Sequence, residues 1–397
     1  MHREYPIVVF SHLRWNFVYQ RPQHLLSRLA AGHPVYFIEE PECEEGLEAP
    51  RWERTHPESN VTVLRPRTRS GAPGFHPEQL AELERLLPQL RADLGEREAL
   101  AWVYTPLALP LVDRLGPAAV VYDCMDELAL FRGAPPELVT RETELFQRAD
   151  VVFTGGPSLH QAKRGRHPNI HCFPSSVDQE HFGRARPRRP RGVRLTEPAD
   201  QDPLPHPRLG FYGVIDERLD LDIVAALADA HPEWQIVLVG PVIKIDPAVL
   251  PRRPNVHYFG QRTYGELPAY LGGWNVCLLP FALNEATRFI SPTKTLEYMA
   301  AERSIVSTPI TDVAEPYGDI VRLGDTPAAF IAACEAALAE PEEERTHRVA
   351  RMREVLARTS WDSTAKAMER LLTAAMGRRL APDSTDRMEN SHATQAF

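Results

Sequence analysis

The sequence contains little cysteine, and the cysteines it has form no pattern. The five residues (Cys43, Cys124, Cys172, Cys277 and Cys334) are scattered over 397 positions without a CxxC pair or a Cys/His cluster. An odd, dispersed set argues against a disulfide framework and against a structural zinc site, and it favours a reducing compartment. We therefore expect a cytoplasmic protein.

Long apolar runs and an excess of positive charge are also missing. No stretch approaches the roughly 20 apolar residues of a membrane-spanning helix. Strand-like residues begin almost at the N-terminus, so we expect no signal peptide and, at most, a peripheral contact with the inner face of a membrane. The formal net charge of −9 argues against a dedicated nucleic-acid-binding protein.

Two common nucleotide-binding patterns are absent. The chain has neither GxGxxG nor GxxxxGK[ST], which weakens a nicotinamide-dependent interpretation and excludes a P-loop ATPase by pattern. Asp220 and Asp222 match a DxD metal pattern. We expect them inside a helix over 218–231, where residues two apart do not face each other, and we predict no metal site.

What the chain does contain is a regular alternation of strand and helix signals. Short apolar runs predict parallel strands at 7–10, 35–38, 61–64, 101–104, 120–122, 151–153, 209–213, 235–240, 256–260, 276–279 and 304–308. Helical spacing occupies 20–31, 76–94, 218–231, 291–300, 327–339 and 341–376. This rhythm predicts an α/β fold with two Rossmann-like, doubly wound domains facing a central cleft.

The rhythm breaks once, over residues 183–207. Six arginines (Arg184, Arg186, Arg188, Arg189, Arg191 and Arg194) alternate there with prolines, as is typical of a linker. We interpret it as a solvated loop, with contact to a phosphate-rich surface as the alternative. The predicted domains are therefore 1–182 and 208–360, and the polar residues 379–397 are expected to be disordered.

The segment from Ser291 to Ala300 carries the most functional information. Ser291 is placed to cap a helix, and Pro292 suits the first helical position. Lys294 and Glu297 are three residues apart and share a face. A helix N-terminus beside a lysine attracts phosphate, and a glutamate one turn further on can accept hydrogen bonds from a sugar diol. The alternative is an amphipathic helix with a surface Lys–Glu pair.

Glycine turns follow several strands of the second half. Gly213 ends one strand and would let the backbone approach a ligand, while Arg218 is spaced to clamp a phosphate. Gly240 with Pro241, and Gln261 after a further glycine, occupy equivalent strand ends. Each is a candidate nucleotide contact, and each could equally be an ordinary turn.

In the first half, acidic residues follow the strand at 120–122. Asp123, Asp126 and Glu127 lie at its carboxyl end, where a carboxylate near the cleft could act as a general base. Acidic residues also favour helix N-termini for electrostatic reasons, so the two interpretations remain open.

The connection after the first strand, residues 11–24, is dense in polar and aromatic groups. His12 is a further candidate for proton transfer. Arg14, Trp15, Arg21 and His24 could contact a sugar acceptor, since aromatic faces suit sugar rings and guanidinium groups suit anions. The aromatic side chains could instead pack against the sheet.

Together these residues resemble the GT-B glycosyltransferases, and more closely their group 1 subset. In that family the second glutamate of an E-x7-E motif binds the donor ribose, and Glu297 matches it. Phe289 stands where the first glutamate would be. A bacterial subset has a lysine three residues before the ribose-binding position, and Lys294 matches that lysine. The stretches 21–24 and 122–126 resemble glycosyltransferases of bacterial surface-polysaccharide clusters.

The resemblance implies a glycosyltransferase that works without a cofactor or a metal ion and takes a nucleoside diphosphate sugar as co-substrate. The implied donor residues are Gly213, Arg218, Gly240, Pro241, Gln261, Ser291, Pro292, Thr293, Lys294 and Glu297. Asp126, Asp123 or His12 would handle the proton of a saccharide or lipid-linked acceptor. A C-terminal helix over 361–378 would cross back to the N-terminal domain.

Two other functions remain compatible with the sequence. A nucleotide-sugar epimerase of the same fold would use similar domains without an acceptor. A non-catalytic sugar-nucleotide-binding or scaffold protein would account for the missing first glutamate at Phe289.

Overall fold

The computed structural model describes residues 4–187 and 195–380. Four arginines of the predicted linker (Arg188, Arg189, Arg191 and Arg194) and the predicted tail from residue 381 onward lie outside the described residues.

The first half folds around one sheet in which almost all strand pairs are parallel. Its strands are β1 (Ile7–Phe10), β2 (Val35–Ile38), β3 (Glu42–Cys43), β4 (Arg51–Glu58), β5 (Val61–Thr68), β6 (Leu100–Val103), β7 (Ala119–Cys124), β8 (Val151–Thr154) and β9 (Ile170–Cys172). The order is β3-β5-β2-β1-β6-β7-β8-β9, and β4 pairs antiparallel with β5. The chain changes direction across the sheet between β1 and β6, the position at which doubly wound folds open a crevice.

Helices cover both faces of this sheet. They are α1 (Arg21–Leu29), α2 (Pro77–Glu84), α3 (Leu87–Leu94), α4 (Leu109–Leu115), α5 (Glu137–Arg148) and α6 (Pro157–Lys163), and α7 (Gln179–Gly183) follows them along the chain. The four residues of β1 are all buried, because apolar clusters lie on both faces of the sheet. Burial on both faces explains why the central strands are continuous apolar runs.

The second half repeats the arrangement. Its strands are β10 (Arg208–Tyr212), β11 (Gln235–Val239), β12 (Val256–Tyr258), β13 (Val276–Leu279), β14 (Ser304–Ser307) and β15 (Arg322–Leu323). Its helices are α8 (Leu221–Ala230), α9 (Leu267–Gly272), α10 (Thr293–Ala300), α11 (Thr311–Tyr317), α12 (Pro327–Leu338) and α13 (Glu342–Leu356), followed by α14 (Trp361–Leu380). The order is β12-β11-β10-β13-β14-β15, and neighbouring strands pair in parallel. The predicted α/β class with two doubly wound sheets is confirmed.

A hairpin in the first half was not predicted. β4 is polar and mostly exposed, and it pairs with β5 across a turn at Asn60. Because its side chains do not alternate between a core face and solvent, the strand leaves no period-two hydrophobic signal.

Two predicted helices are each divided in two. The helix expected over 76–94 breaks at Arg85 and Leu86, because Pro88 opens α3 and has no N–H to continue an earlier helix. The helix expected over 341–376 breaks at 357–360, where the Ser363 N–H donates to Ser360 Oγ over 3.1 Å and starts α14.

Two helices, α7 and α14, pack against the half of the protein that they do not adjoin in the predicted domain division. Phe182 of α7 is buried in the core of the second half. The boundary between the two halves therefore lies before α7 and not at the predicted residue 183. In the other direction, α14 packs on the first sheet through Trp361, Met368 and Leu372. The predicted C-terminal helix thus lies against the N-terminal half.

Candidate active site

Helix α10 begins two residues later than the proposed cap. Its first residue is Thr293, its N-cap is Pro292, and no side chain caps it. The predicted capping role of Ser291 is therefore wrong. Instead, the backbone carbonyl of Ser291 accepts a hydrogen bond from Ser175 Oγ of the first half, at 2.9 Å. The uncapped N-terminus of α10 faces the space between the two sheets, and Thr293 lines that space.

Glu297 lies inside the protein and not on a helix surface. It is 7% exposed, and its Oε2 accepts a hydrogen bond from the Tyr212 hydroxyl at 2.5 Å. Burial raises the pKa of Glu297 to about 7, against the opposing effects of the Tyr212 hydrogen bond and the Lys294 charge. A buried carboxyl that keeps a free oxygen toward a cavity can bind a ligand hydroxyl, which a surface Lys–Glu pair would not explain.

Lys294 crosses the end of β10. Its Nζ lies 5.6 Å from the centroid of the Phe211 ring. A Cβ added at Gly213 would come within 2.3 Å of the Lys294 Cε, so only glycine leaves room for this side chain. Burial lowers the pKa of Lys294, while the Glu297 charge opposes that shift. The ammonium group is thus held at the strand end, beside the N-terminus of α10.

The two predicted glycine turns touch each other. Gly213 and Gly240 have φ angles of 142° and 153°, a backbone region that favours glycine. A Cβ on Gly240 would lie 1.8 Å from the carbonyl oxygen of Gly213. The turns after β10 and β11 therefore form one glycine-lined wall.

Arg218 reaches the same space but is already paired. Its Nε and Nη2 donate to the Asp216 carboxylate over 2.7 to 3.1 Å. Its guanidinium also lies 5.6 Å from the ring centroid of Phe131, a residue of the first half. Asp216 thus orients Arg218 toward the cleft, and the pair leaves the remaining guanidinium N–H groups for a ligand.

A continuous cavity joins these residues. Its inner part is lined by Asp126, Arg218 and the first turn of α10, and its outer part by Glu297 and the strand-end residues of the second half. Gly213 and Lys294 line both parts. The cavity thus brings together all ten predicted donor residues. Its inner part is lined by Arg218, Ser291 and Pro292, its outer part by Gly240, Pro241, Gln261 and Glu297, and both parts by Gly213, Thr293 and Lys294.

Asp126 is the acidic residue of the first half that reaches the cavity. Burial raises its pKa, whereas Arg218, Arg21 and Lys244 lower it. His12 lines neither part of the cavity, and its Nδ1 is buried without a hydrogen-bond partner among the described residues. Burial, with the Lys244 charge, lowers the pKa of His12 to about 4, so that it is neutral at pH 7.

The proposed base Asp123 has a structural role instead. It is fully buried, and both of its carboxylate oxygens accept hydrogen bonds from Arg21, at 2.9 and 3.0 Å. Arg21 also donates to the carbonyl of Phe173 over 2.7 Å. Because both oxygens of Asp123 are occupied by Arg21 and Asp123 does not line the cavity, the prediction of Asp123 as a base is wrong. Arg21 lines the inner part of the cavity, so its role as an acceptor contact stays a prediction.

The other predicted acceptor residues also pack internally. Trp15 is buried against Phe37, with ring centroids 5.1 Å apart. His24 is buried and stacks on Trp361 of α14 at 4.6 Å. Arg14 is partly buried and pairs with Glu39 and Glu42. The prediction of Arg14 and His24 as acceptor contacts is wrong, since neither lines the cavity. Trp15 lines an adjoining groove between the two halves, so its role as an acceptor contact stays a prediction.

Several cavity residues were not predicted. Tyr212 positions Glu297, Tyr264 lines the outer part, and Val18 to Gln20 close it from the first half. Tyr19 and Tyr264 stack across the cleft with ring centroids 4.7 Å apart. A signal existed for Tyr212, a polar aromatic residue directly before a glycine turn, but the pairing of Tyr19 with Tyr264 spans the two halves and has no local pattern.

Asp220 and Asp222, which match the DxD sequence pattern, are not arranged as a metal site. Asp220 precedes α8, and its carboxylate accepts a hydrogen bond from the backbone N–H of Ile223 at 3.0 Å. The helix therefore begins at 221 and not at 218. Within residues 4–187 and 195–380, no group of three or more His, Cys, Asp or Glu side chains could hold a metal ion. In the same ranges, no helix is long and apolar enough to cross a membrane.

Comparison with known proteins agrees with this geometry. Residues 206–340, which carry α10 and both glycine turns, match the family described as glycosyl transferases group 1. A Bacillus subtilis (strain 168) protein named as the teichuronic acid biosynthesis glycosyltransferase TuaH is 27% identical over 299 residues, covering 70% of this chain and 72% of the relative.

Solved structures share the fold over almost the whole chain. An E. coli structure described as trehalose-6-phosphate bound with UDP-2-fluoro glucose matches with a TM-score of 0.65 at 14% identity, covering 93% of this chain and 99% of the neighbour. The α,α-trehalose 6-phosphate synthase of Burkholderia multivorans matches with a TM-score of 0.64 at 15% identity, covering 95% and 100%. The two facing parallel sheets, the group 1 match over the second of them and the glycosyltransferase relative identify this chain as a glycosyltransferase of the GT-B fold.

Proposed function

We propose that the protein transfers a sugar from a nucleoside diphosphate sugar to a saccharide or lipid-linked acceptor, without a metal ion, in the cleft between its two sheets. The observation that carries this proposal is the arrangement of Lys294 and Glu297 on α10. Both face one cavity, together with the glycine wall of Gly213 and Gly240.

The donor ribose binds at Glu297. One carboxylate oxygen is held by Tyr212, which fixes the side chain and leaves the other oxygen for a diol. An ionised carboxylate accepts hydrogen bonds more strongly than a neutral one. The base occupies the outer cavity beside Gly240, Pro241 and Gln261. The E. coli neighbour is described as bound with UDP-2-fluoro glucose, so uracil is the first base to test.

The diphosphate lies at the N-terminus of α10. Backbone N–H groups and the helix dipole favour an anion there, and Lys294 and Arg218 add positive charge. As the bond to the sugar breaks, negative charge develops on the diphosphate, and preorganised donors stabilise it most at that moment. These groups take the role that a divalent cation has in other transferases.

The acceptor approaches from the first half, and Asp126 receives the proton of its hydroxyl group. Asp126 lines the inner cavity with Arg218 and Lys294, next to the bond that breaks. Its raised pKa brings it closer to the range in which a carboxylate is an effective general base. The glycosyltransferase relative is named for teichuronic acid biosynthesis. A growing polysaccharide at the inner face of the membrane is therefore the acceptor we favour.

Isothermal titration with uridine, guanosine and adenosine diphosphate sugars tests the donor site. We expect one nucleotide to bind in the presence of EDTA, and Glu297→Ala and Lys294→Ala to weaken it at least tenfold. Arg288→Ala, in an exposed side chain before α10, serves as the control and should bind like the wild type. Absence of binding to every nucleotide, or binding untouched by both substitutions, would overturn the proposal, and a need for added metal would overturn its metal-independent part.

A further inference from the structure

A largely buried group of charged side chains includes Glu127, the residue that follows Asp126. Lys163, the last residue of α6, is 5% exposed. Its Nζ contacts Glu127 Oε2 at 2.6 Å and the two oxygens of Glu142 at 2.7 and 2.8 Å. Arg166 and the Tyr122 hydroxyl complete the coordination of Glu142. We call these five residues the Lys163 cluster.

The Lys163 cluster is costly to build for stability alone. Removing charges from water carries a large penalty, and buried ion pairs can often be replaced by apolar residues without loss of stability. Here two cations and two carboxylates balance, and Lys163 is the member that bridges both carboxylates. Such a fixed network restrains the orientation of whatever it holds.

The Lys163 cluster holds the loop that carries Asp126. This loop, residues 125–136, joins β7 to α5, and Glu127 follows Asp126 directly. At its other end Phe131 lies 5.6 Å from the charged groups of both Arg218 and Lys244 in the second half. A Cβ on Gly155, which precedes α6, would come within 2.3 Å of the Met125 carbonyl oxygen. The loop is therefore pressed against the segment that leads into α6.

Helix α6 also contacts the second half. The backbone N–H of Ser158 in its first turn donates to Asp312 Oδ1 of α11 at 3.0 Å. One end of α6 thus touches the half that holds the donor, while the other end, through Lys163, holds the loop of Asp126. The position of Asp126 relative to the donor depends on both contacts.

We propose that Lys163 is a positioning residue for the transfer reaction, which holds the Asp126 carboxylate at the donor through the Lys163–Glu127 ion pair. The inference rests on the proposed function of the cleft. It predicts that loss of Lys163 loosens the loop, so that Asp126 spends less time beside the acceptor hydroxyl, while the donor site on α10 is unchanged.

The test compares Lys163→Met with Lys163→Arg and with Arg348→Met. Arg348 is a matched control, because it is equally buried and pairs with Glu340, but it lies against β14, away from the cavity. We measure kcat at saturating donor, donor Kd by titration, and the fraction of folded protein. We expect Lys163→Met to lose at least tenfold in kcat per folded molecule with donor Kd within twofold. Lys163→Arg should recover most of the rate, and Arg348→Met should leave it unchanged.

The pH profile separates positioning from a general loss of structure. Arg218, Arg21, Asp123 and Lys244 are the charged groups that act on Asp126. If the loop loosens, Asp126 becomes better hydrated, its pKa falls toward the ordinary value, and the acidic limb of kcat moves to lower pH. An unshifted limb together with a rate equal to that of Arg348→Met would overturn the inference.

A second variant keeps the inference testable if Lys163→Met does not fold. Glu127→Gln removes the loop carboxylate that pairs with Lys163 and leaves Lys163 paired with Glu142. It should reproduce the loss in kcat, and a wild-type rate would overturn the inference. Failure of the proposed function is distinguishable, since the wild-type protein would then bind no nucleotide sugar.

Discussion

The donor side and the acceptor side of the cleft are both edges of parallel sheets, yet their functional groups are arranged differently. On the donor side, one short helix and two glycine turns supply the main groups, and all of them face the cavity. On the acceptor side, most of the polar residues after β1 and β7 hold the first half together, and Asp126 is the acid that lines the cavity. Polar residues at a strand end thus indicate a cleft but do not by themselves indicate contact with a ligand.

The largest expected effect tests the structural role of the acceptor-side residues. Arg21→Met leaves Asp123 buried without its partner, which should reduce the free energy of unfolding by about 3–5 kcal/mol. Urea denaturation measures this loss, and acceptor KM of the folded fraction should be unchanged.

A matched control is Arg148→Met, which breaks an exposed pair with Asp113 and should cost less than about 1 kcal/mol. The double variant Arg21→Met with Asp123→Leu should regain much of the lost stability, since it leaves no buried charge unpaired. A stable Arg21→Met protein with a raised acceptor KM would show that Arg21, which lines the cavity, contacts the acceptor.

On the donor side, Lys294→Met should remove transition-state stabilisation and leave stability almost unchanged. We expect kcat/KM to fall about 10²- to 10³-fold, which corresponds to roughly 3–4 kcal/mol for one charge-stabilising donor. Steady-state transfer assays measure the change, with Arg288→Met as the exposed control. A loss of less than about threefold would show that the diphosphate does not contact Lys294.

The sequence predicts those features of the fold and the site that leave a local pattern, and it misses those that depend on contacts between distant residues. Central strands such as β1 and β13 are short apolar runs because helices cover both of their faces, and their bounds were predicted without error. β4 was not predicted because it is a mostly exposed strand, paired with β5, and carries polar residues. Lys294 and Glu297 were predicted because their spacing on one helix is local. The Arg21–Asp123 pair joins residues 102 positions apart, a contact that no local pattern reports.

The glycine wall offers a smaller effect. Gly240→Ala places a Cβ against the Gly213 carbonyl and forces an alanine into a left-handed backbone region. The backbone strain costs about 1–2 kcal/mol and the overpacking about 1–3 kcal/mol. We expect lower stability in urea denaturation and weaker donor binding in titration.

Gly260→Ala is the control for the backbone part. Gly260 also has a positive φ, of 67°, but nothing lies within 4 Å of an added Cβ. It should show the backbone strain alone and retain donor affinity. Equal donor affinity in Gly240→Ala and Gly260→Ala would mean that the two turns do not shape the donor site.

The smallest expected effect concerns the charge of Glu297, where stability and binding should respond to pH in opposite directions. Burial raises the pKa of Glu297 from 4.5 to about 7, so between these values the folded protein holds a proton that the unfolded chain releases. The stabilisation of the folded protein that comes from this raised pKa is therefore present below pH 4.5 and is lost as pH rises through 7. Glu297→Gln should be more stable than the wild type at pH 8 by about 1–3 kcal/mol and nearly equal to it at pH 5.

The donor affinity of the wild type should rise between pH 5 and pH 8, because the ribose binds the ionised carboxylate, while the donor affinity of the variant stays weak throughout. Urea denaturation and titration at both pH values measure the two trends, with the exposed Glu285→Gln as control. A stability difference that is the same at pH 5 and pH 8 would mean that Glu297 is already ionised in the folded protein, and that the donor side, like the acceptor side, gives its carboxylate a structural partner.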